Sequence, residues 1–196
     1  MYGYGPHAAR RYFNDVAAGW FLVFKNPDSA QQRYENSLAL HPGDGHAKNC
    51  LAGILSEKKE YARALKLYEE LAVLNDKQAA YPFNQAFIHD LQGNLPQAEA
   101  LFLRTLEIDP FFDRAHYGLG LIYVKTNRLV EAAAMFEKNT KIQPMSPYGW
   151  YQLALVYMNL GRVSEAHTIE RQLSKFEPKF ARGLKLDLEK LAPQSA

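Results

Sequence analysis

His46 and Cys50 stand four residues apart in "HAKNC", the spacing that brings two side chains onto one face of a helix. A histidine so placed can take the thiol proton and leave a thiolate nucleophile. Catalysis would also need a group to orient the imidazole and donors for the developing oxyanion, and the sequence marks neither. The pair therefore reads as a small semi-buried cysteine beside a solvated histidine. His41, in "HPGDGH", could join His46 and Cys50 around zinc, but three ligands at this spacing match no established pattern. Gln85 and His89 are also four apart, on a face that is apolar elsewhere. They read as a mutually hydrogen-bonded pair closing a buried gap, with a ligand-binding or pH-sensing role as the alternative. "GLGLIY" has two glycines but follows no strand, so it marks close packing and not a nucleotide loop. We read the chain as a non-enzyme, with no cofactor, no metal and no small-molecule substrate.

The elements that carry these residues repeat. Written in lines of 34, the chain aligns Ala30, Ala64, Ala98, Ala132 and Ala166 in one column. Four residues on stand Tyr34, Tyr68, Phe102, Phe136 and then Glu170, and a column of small residues holds Ala18, Ala52, Ala86, Gly120 and Ala154. Each line divides into two amphipathic helices, as in Leu119, Ile122 and Tyr123, a break at Asn127, then Leu129, Ala132, Ala133 and Phe136. The breaks "KNPDS", "SEKKE", "QGN", "TNR" and "LGR" suit tight helix–helix turns. Ser146 before Pro147 reads as a helix cap, and Pro96 sits similarly at a helix start. A small side chain in the alanine column lets paired helices approach, and the aromatic one turn later fills the gap to the next unit.

These columns resemble the tetratricopeptide repeat (TPR) family. Leu119, Gly120, Tyr123, Ala132, Phe136 and Pro144 carry its pattern in one unit, and Trp150, Leu153, Ala154, Tyr157, Gly161 and Ala166 in the next. The resemblance implies an all-α fold, a right-handed superhelical solenoid of five helix-turn-helix units. We divide the chain into a leader (1–10), an atypical first unit (11–44), units at 45–78, 79–112, 113–146 and 147–180, and a C-terminal capping helix and tail (181–196). Departures include Phe21 and Leu55 where tyrosine is usual, Gln85 and His89 in the third unit, and Glu170 in the aromatic column. In "KFARGLKLDLEKL", Phe180, Leu184, Leu188 and Leu191 form the apolar stripe of a cap.

The family's first helices line a concave groove. Carried onto this sequence, that lining comprises Tyr12, Asp15, His46, Asn49, Glu57, Phe83, Phe87, Asp90, Arg114, Tyr117, Leu121, Val124, Lys125, Tyr148, Tyr151, Leu155, Met158 and Asn159. It is polar in the first two units and becomes an aromatic and aliphatic ladder in the last three, where Phe83, Phe87, Arg114, Tyr117, Leu121, Val124, Tyr148, Tyr151, Leu155 and Met158 would take an apolar or aromatic-bearing peptide segment. The competing reading packs several of these rings between neighbouring first helices. The family's carboxylate clamp is not expected, since only Asn84 and Arg114 fit its positions. A protein or peptide partner is thus the leading expectation, in an adaptor or scaffold. A secretion- or pilus-assembly chaperone, a self-assembling homo-oligomer and an accessory subunit are the alternatives.

Bulk properties agree. The 196 residues include 47% apolar and 22% charged side chains, ordinary for a folded domain. Twenty-three basic and 21 acidic residues are interspersed, giving +2 with no run that would call for nucleic acid. One cysteine excludes an internal disulfide and permits a reducing compartment. The stretch "ARRYFNDVAAGWFLVFKN" has two arginines and a nine-residue apolar run, yet Asp15 interrupts it, no cleavage site follows, and Ala18 falls in register with the repeats. It reads as the first helix of the array. Val16, Trp20, Leu22 and Val23 make that helix apolar beyond one face, which predicts a covered end: a second copy of the chain, a partner, or a membrane surface. We expect a cytoplasmic, bacterial protein, with periplasmic or peripheral-membrane placement as alternatives.

Overall fold

The computed structural model describes residues 26–191, and among them every regular element is an α-helix. In chain order these are α1 (Pro27–Leu40), α2 (Gly45–Glu57), α3 (Tyr61–Leu74), α4 (Ala80–Leu91), α5 (Leu95–Ile108), α6 (Asp113–Lys125), α7 (Leu129–Ile142), α8 (Pro147–Asn159), α9 (Val163–Leu173) and α10 (Pro178–Leu191). The leader, the first helix of the first unit, and the proposed interface of Val16, Trp20, Leu22 and Val23, with Tyr12 and Asp15, lie outside the described residues.

Local chemistry explains the helix boundaries. Asn26 caps α1 by accepting from the Ser29 amide at 3.2 Å, ahead of Pro27. Asp44 caps α2, its Oδ1 accepting from the amides of His46 and Ala47 at 3.0 and 3.2 Å. Ser146 precedes α8 as expected, but its hydroxyl makes no capping bond, so Pro147 alone sets that start. The turn within each helix pair reverses through one left-handed residue: Lys59 (φ 62°), Gly93 (φ 75°), Asn127 (φ 59°) and Gly161 (φ 75°), all 34 apart.

The chain forms two compact bodies, one through Ile88 and one from His89. In the first, Tyr34, Leu51, Leu55, Tyr68, Leu71 and Ile88 pack around Ala30, Ala47, Ala52 and Ala64. In the second, successive helices from α5 to α10 pack on one another, and α10 contacts both α8 and α9. The alanine column is wholly enclosed, with Ala30, Ala64, Ala98, Ala132 and Ala166 each at 0% exposure. Any larger side chain there would force the paired helices apart.

The two glycines of α6 have the packing role expected of them. A Cβ on Gly118 would lie 2.6 Å from Cζ of Phe102, and one on Gly120 would lie 2.5 Å from Cε1 of Phe136. Two rings from neighbouring helices thus rest directly on the α6 backbone. A second recurring contact lies at the turns. The Arg128 guanidinium sits 4.1 Å from the Tyr123 ring centre, and Arg162, 34 residues later, sits 3.8 Å from that of Tyr157.

Candidate functional site

The expected binding face consists of first-helix side chains that point away from the partner helix. In the first body, α2 presents His46, Asn49 and Glu57 to solvent, and α4 presents Phe87, which is 47% exposed, with Phe83 half-buried beside it in sequence. In the second body, α6 carries exposed Arg114, half-buried Tyr117 and Leu121, and Val124 at 36% exposure. Arg114 lies over the Phe112 ring at 5.4 Å, and the Tyr117 ring meets that of Phe136 edge-on at 5.7 Å. Lys125 closes this end of α6 with an ion pair to Asp90 at 2.5 Å.

On α8 the same positions are partly taken. Tyr148 keeps 60% of its surface exposed, yet its ring stands edge-on to Phe180 of α10 at 5.3 Å, and Tyr151 meets the same ring at 6.3 Å. The Tyr151 hydroxyl donates to Oδ2 of Asp187. Desolvation, reinforced by that carboxylate, pushes the Tyr151 phenol up to about 12. Asp187 is held below the ordinary carboxylate value, first by the Tyr151 hydroxyl and then by Lys190 at 2.9 Å. Leu155 is half-buried, and the exposed Asn159 turns its amide back to the Leu155 carbonyl at 2.8 Å. Met158 differs from expectation: it is only 7% exposed and belongs to the core. Its counterpart one repeat earlier is exposed Val124, so the same column is open on α6 and closed on α8, the helix against which α10 packs.

Phe180 and Asp187 were not among the expected face residues. Of the stripe expected for the cap, Leu184 and Leu188 are buried together with Ala181, whereas Phe180 turns toward the two tyrosines. Its aromatic type at the edge of an aliphatic stripe was the only sequence signal.

The other candidates resolve as follows. Cys50 Sγ lies 3.7 Å from His46 Nε2, with the cysteine half-buried and the histidine exposed. The His46 ring also meets Tyr34 edge-on at 6.4 Å. Among the described residues, no three His, Cys, Asp or Glu side chains converge as a metal site requires, so His41 and His46 do not enclose one with Cys50. Gln85 is buried as expected, but His89 Nδ1 accepts from the Asn94 amide at 3.4 Å in place of the expected partner Gln85. Asn84, one of two clamp-like positions, hydrogen-bonds the Tyr68 hydroxyl, whose burial raises it to about 12. Among the described residues no helix is long and apolar enough to cross a membrane.

Comparison with known proteins places this geometry. A model of the tetratricopeptide repeat family matches residues 21–84 and 91–147. A TPR repeat-containing thioredoxin, TTL4 of Arabidopsis thaliana, is 27% identical over 92 residues, which are 47% of this chain and 14% of that protein. The chain thus spans a small part of that relative's length. MamA from Desulfovibrio magneticus RS-1 superposes with a TM-score of 0.78 at 14% identity, over 90% of this chain and 98% of that one. YrrB, described as a TPR protein with an unusual peptide-binding site, superposes with a TM-score of 0.68 at 16% identity, over 88% and 90% of the two chains. With its repeat columns buried as that architecture requires and more than half its length matched, the chain belongs to the tetratricopeptide repeat family.

Proposed function

We propose that this protein is a non-catalytic interaction scaffold whose first-helix face takes an apolar or aromatic-bearing segment of a protein partner. The observation that carries the reading is the row on α6 and α8: Tyr117, Leu121, Val124, Tyr148 and Leu155 all keep part of their apolar surface in water. Contiguous wet apolar side chains are unfavourable to leave uncovered, and rings with few rotatable bonds lose little entropy when a partner covers them. Phe180 gives an internal precedent, since this face already holds a helical ring edge-on to Tyr148 and Tyr151. A partner ring would meet Tyr117, Leu121 and Val124 in the same manner, over α6. The peptide-binding site described for YrrB, which shares the fold, is consistent with such use.

Panning a random-peptide display library on the purified protein tests this reading. Recovered sequences should be enriched in aromatic and aliphatic residues. Leu121→Asp and Val124→Asp, at a half-buried and an exposed position, should together cut recovery about tenfold while helicity stays unchanged. Polar recovered sequences, or recovery indifferent to the pair of changes, would remove the basis for the proposal.

A further inference from the structure

The second body has a cavity that the first-helix face does not include. It lies between α5, α6 and α7, has a volume of about 650 Å³, and is walled by Leu103, Leu106, Phe111, Met135 and Ile142 over the imidazole of His116. Phe111 and Leu103 on its lip are 76% and 43% exposed. The walls are apolar, but the rim is charged and unbalanced. Glu107 is engaged by Arg104 at 2.9 Å, whereas Lys138 and Lys141 have no ion-pair partner among the described residues.

The repeat supplies its own control. One unit later the same helices enclose a cavity of about 300 Å³, in which Trp150 occupies the place of His116. Leu103 and Leu106 are replaced there by Glu137 and Thr140. Trp150 Nε1 donates to the Pro144 carbonyl at 2.9 Å, and His116 Nε2 donates to the Pro110 carbonyl at 2.9 Å. The hydrogen bond is conserved between the two units, so the exchange of a large ring for a small one alters the floor and leaves the frame. His116 Nδ1 is left buried without a partner, where tryptophan has only carbon.

We propose that the cavity between α5, α6 and α7 is a second docking site, which takes an aromatic side chain of a partner protein flanked by acidic residues. The apolar walls and the volume accept one large ring. Lys138 and Lys141 then meet the flanking carboxylates, and the neutralised Glu107 does not repel them. The site is distinct from the first-helix face and does not depend on it.

The probe is a short synthetic peptide with one central tryptophan flanked by aspartates, labelled for fluorescence anisotropy. His116→Trp keeps the bond to Pro110 and fills the floor, so it should weaken binding at least about tenfold with helicity unchanged. Lys138→Glu with Lys141→Glu, both exposed changes, should weaken it similarly. Leu121→Asp with Val124→Asp should leave this binding intact, which separates the site from the first-helix face. Three results would overturn the proposal: equal binding of a peptide whose tryptophan is replaced by alanine, binding unaffected by either the His116 or the lysine changes, or cavity occupation by decanoate but not by the peptide.

Discussion

His116 and Trp150 hold the same position in successive repeats, and each donates a ring N–H to the carbonyl of the proline six residues before it, at 2.9 Å in both cases. Because a carbonyl only accepts, the His116 tautomer is fixed with its proton on Nε2, as the indole proton is fixed on Nε1. The two residues are interchangeable as donors but differ in acid. Protonating His116 would place a second N–H at Nδ1, which is buried with no acceptor.

A pH dependence follows. Desolvation lowers the His116 pKa from its usual 6.5, and the nearby Lys138 charge adds to this, while the Pro110 bond and the carboxylates of Asp113 and Asp109 oppose it. With the folded value depressed, the unfolded chain binds the extra proton first. The contribution of neutral His116 is complete above about pH 6.5 and is lost as pH falls through the folded value. His116→Trp should therefore flatten urea-unfolding stability between pH 7.5 and 5 relative to the native chain. Parallel curves for the two proteins would contradict this assignment.

The left-handed turn column offers a stability test. Lys59, Gly93, Asn127 and Gly161 share one backbone conformation, yet only glycine adopts it without a Cβ clash. Lys59→Gly should raise stability by a net ~0.5–1 kcal/mol, because relief of strain outweighs the added freedom of the unfolded chain. Asn127→Gly should gain less, since asparagine tolerates this region better. Chemical denaturation of the two variants checks both the sign and the order.

How much of this was legible in the sequence depends on periodicity. Ala30, Ala64, Ala98, Ala132 and Ala166 recur because the same helix–helix approach recurs, so their burial could be read at a distance. The left-handed turn was legible as a break but not as a column, because Lys59 and Asn127 do not look like glycine. What one line of a repeat cannot show is where the array departs from itself. Met158 shares a column with exposed Val124 and is nonetheless buried. Phe180 and Asp187 belong to the cap helix α10, which packs on both α8 and α9. The cavity over His116 was invisible for another reason: its size depends on three helices at once, and the sequence showed only that a histidine stood where tryptophan stands next.

Gly120 and Phe136 form a coupled pair. An alanine Cβ at residue 120 would sit 2.5 Å from the Phe136 ring, which is fully enclosed and has no room to retreat. Overpacking of this kind costs about 1–3 kcal/mol, and the better helix propensity of alanine returns about 1 kcal/mol of it. Gly120→Ala should lower stability by a net of up to ~2 kcal/mol. Phe136→Leu alone also destabilises, but the double variant should be more stable than the sum of the single losses. Strict additivity in the double-mutant cycle would show that the two residues do not compete for the same space.

The cap helix is tied to α8 by a bond that titrates. Tyr151 donates to Asp187, and its phenol, raised to about 12, keeps its proton through neutral pH. Tyr151→Phe preserves the ring contact with Phe180 and removes only the hydroxyl, so α10 amides should exchange faster while α6 and α7 are unchanged. The Asp187 value is depressed, chiefly by this hydroxyl, so the stabilisation is present above the unfolded carboxylate value of about 3.8 and is lost as pH falls through the folded one. Native and Tyr151→Phe proteins should therefore differ in α10 exchange at neutral pH and converge in acid. If the two differ equally at both pH values, the hydroxyl acts on the cap by some route other than the Asp187 carboxylate. If they never differ, apolar packing through Ala181, Leu184, Leu188 and Phe180 holds the helix without help from the hydroxyl.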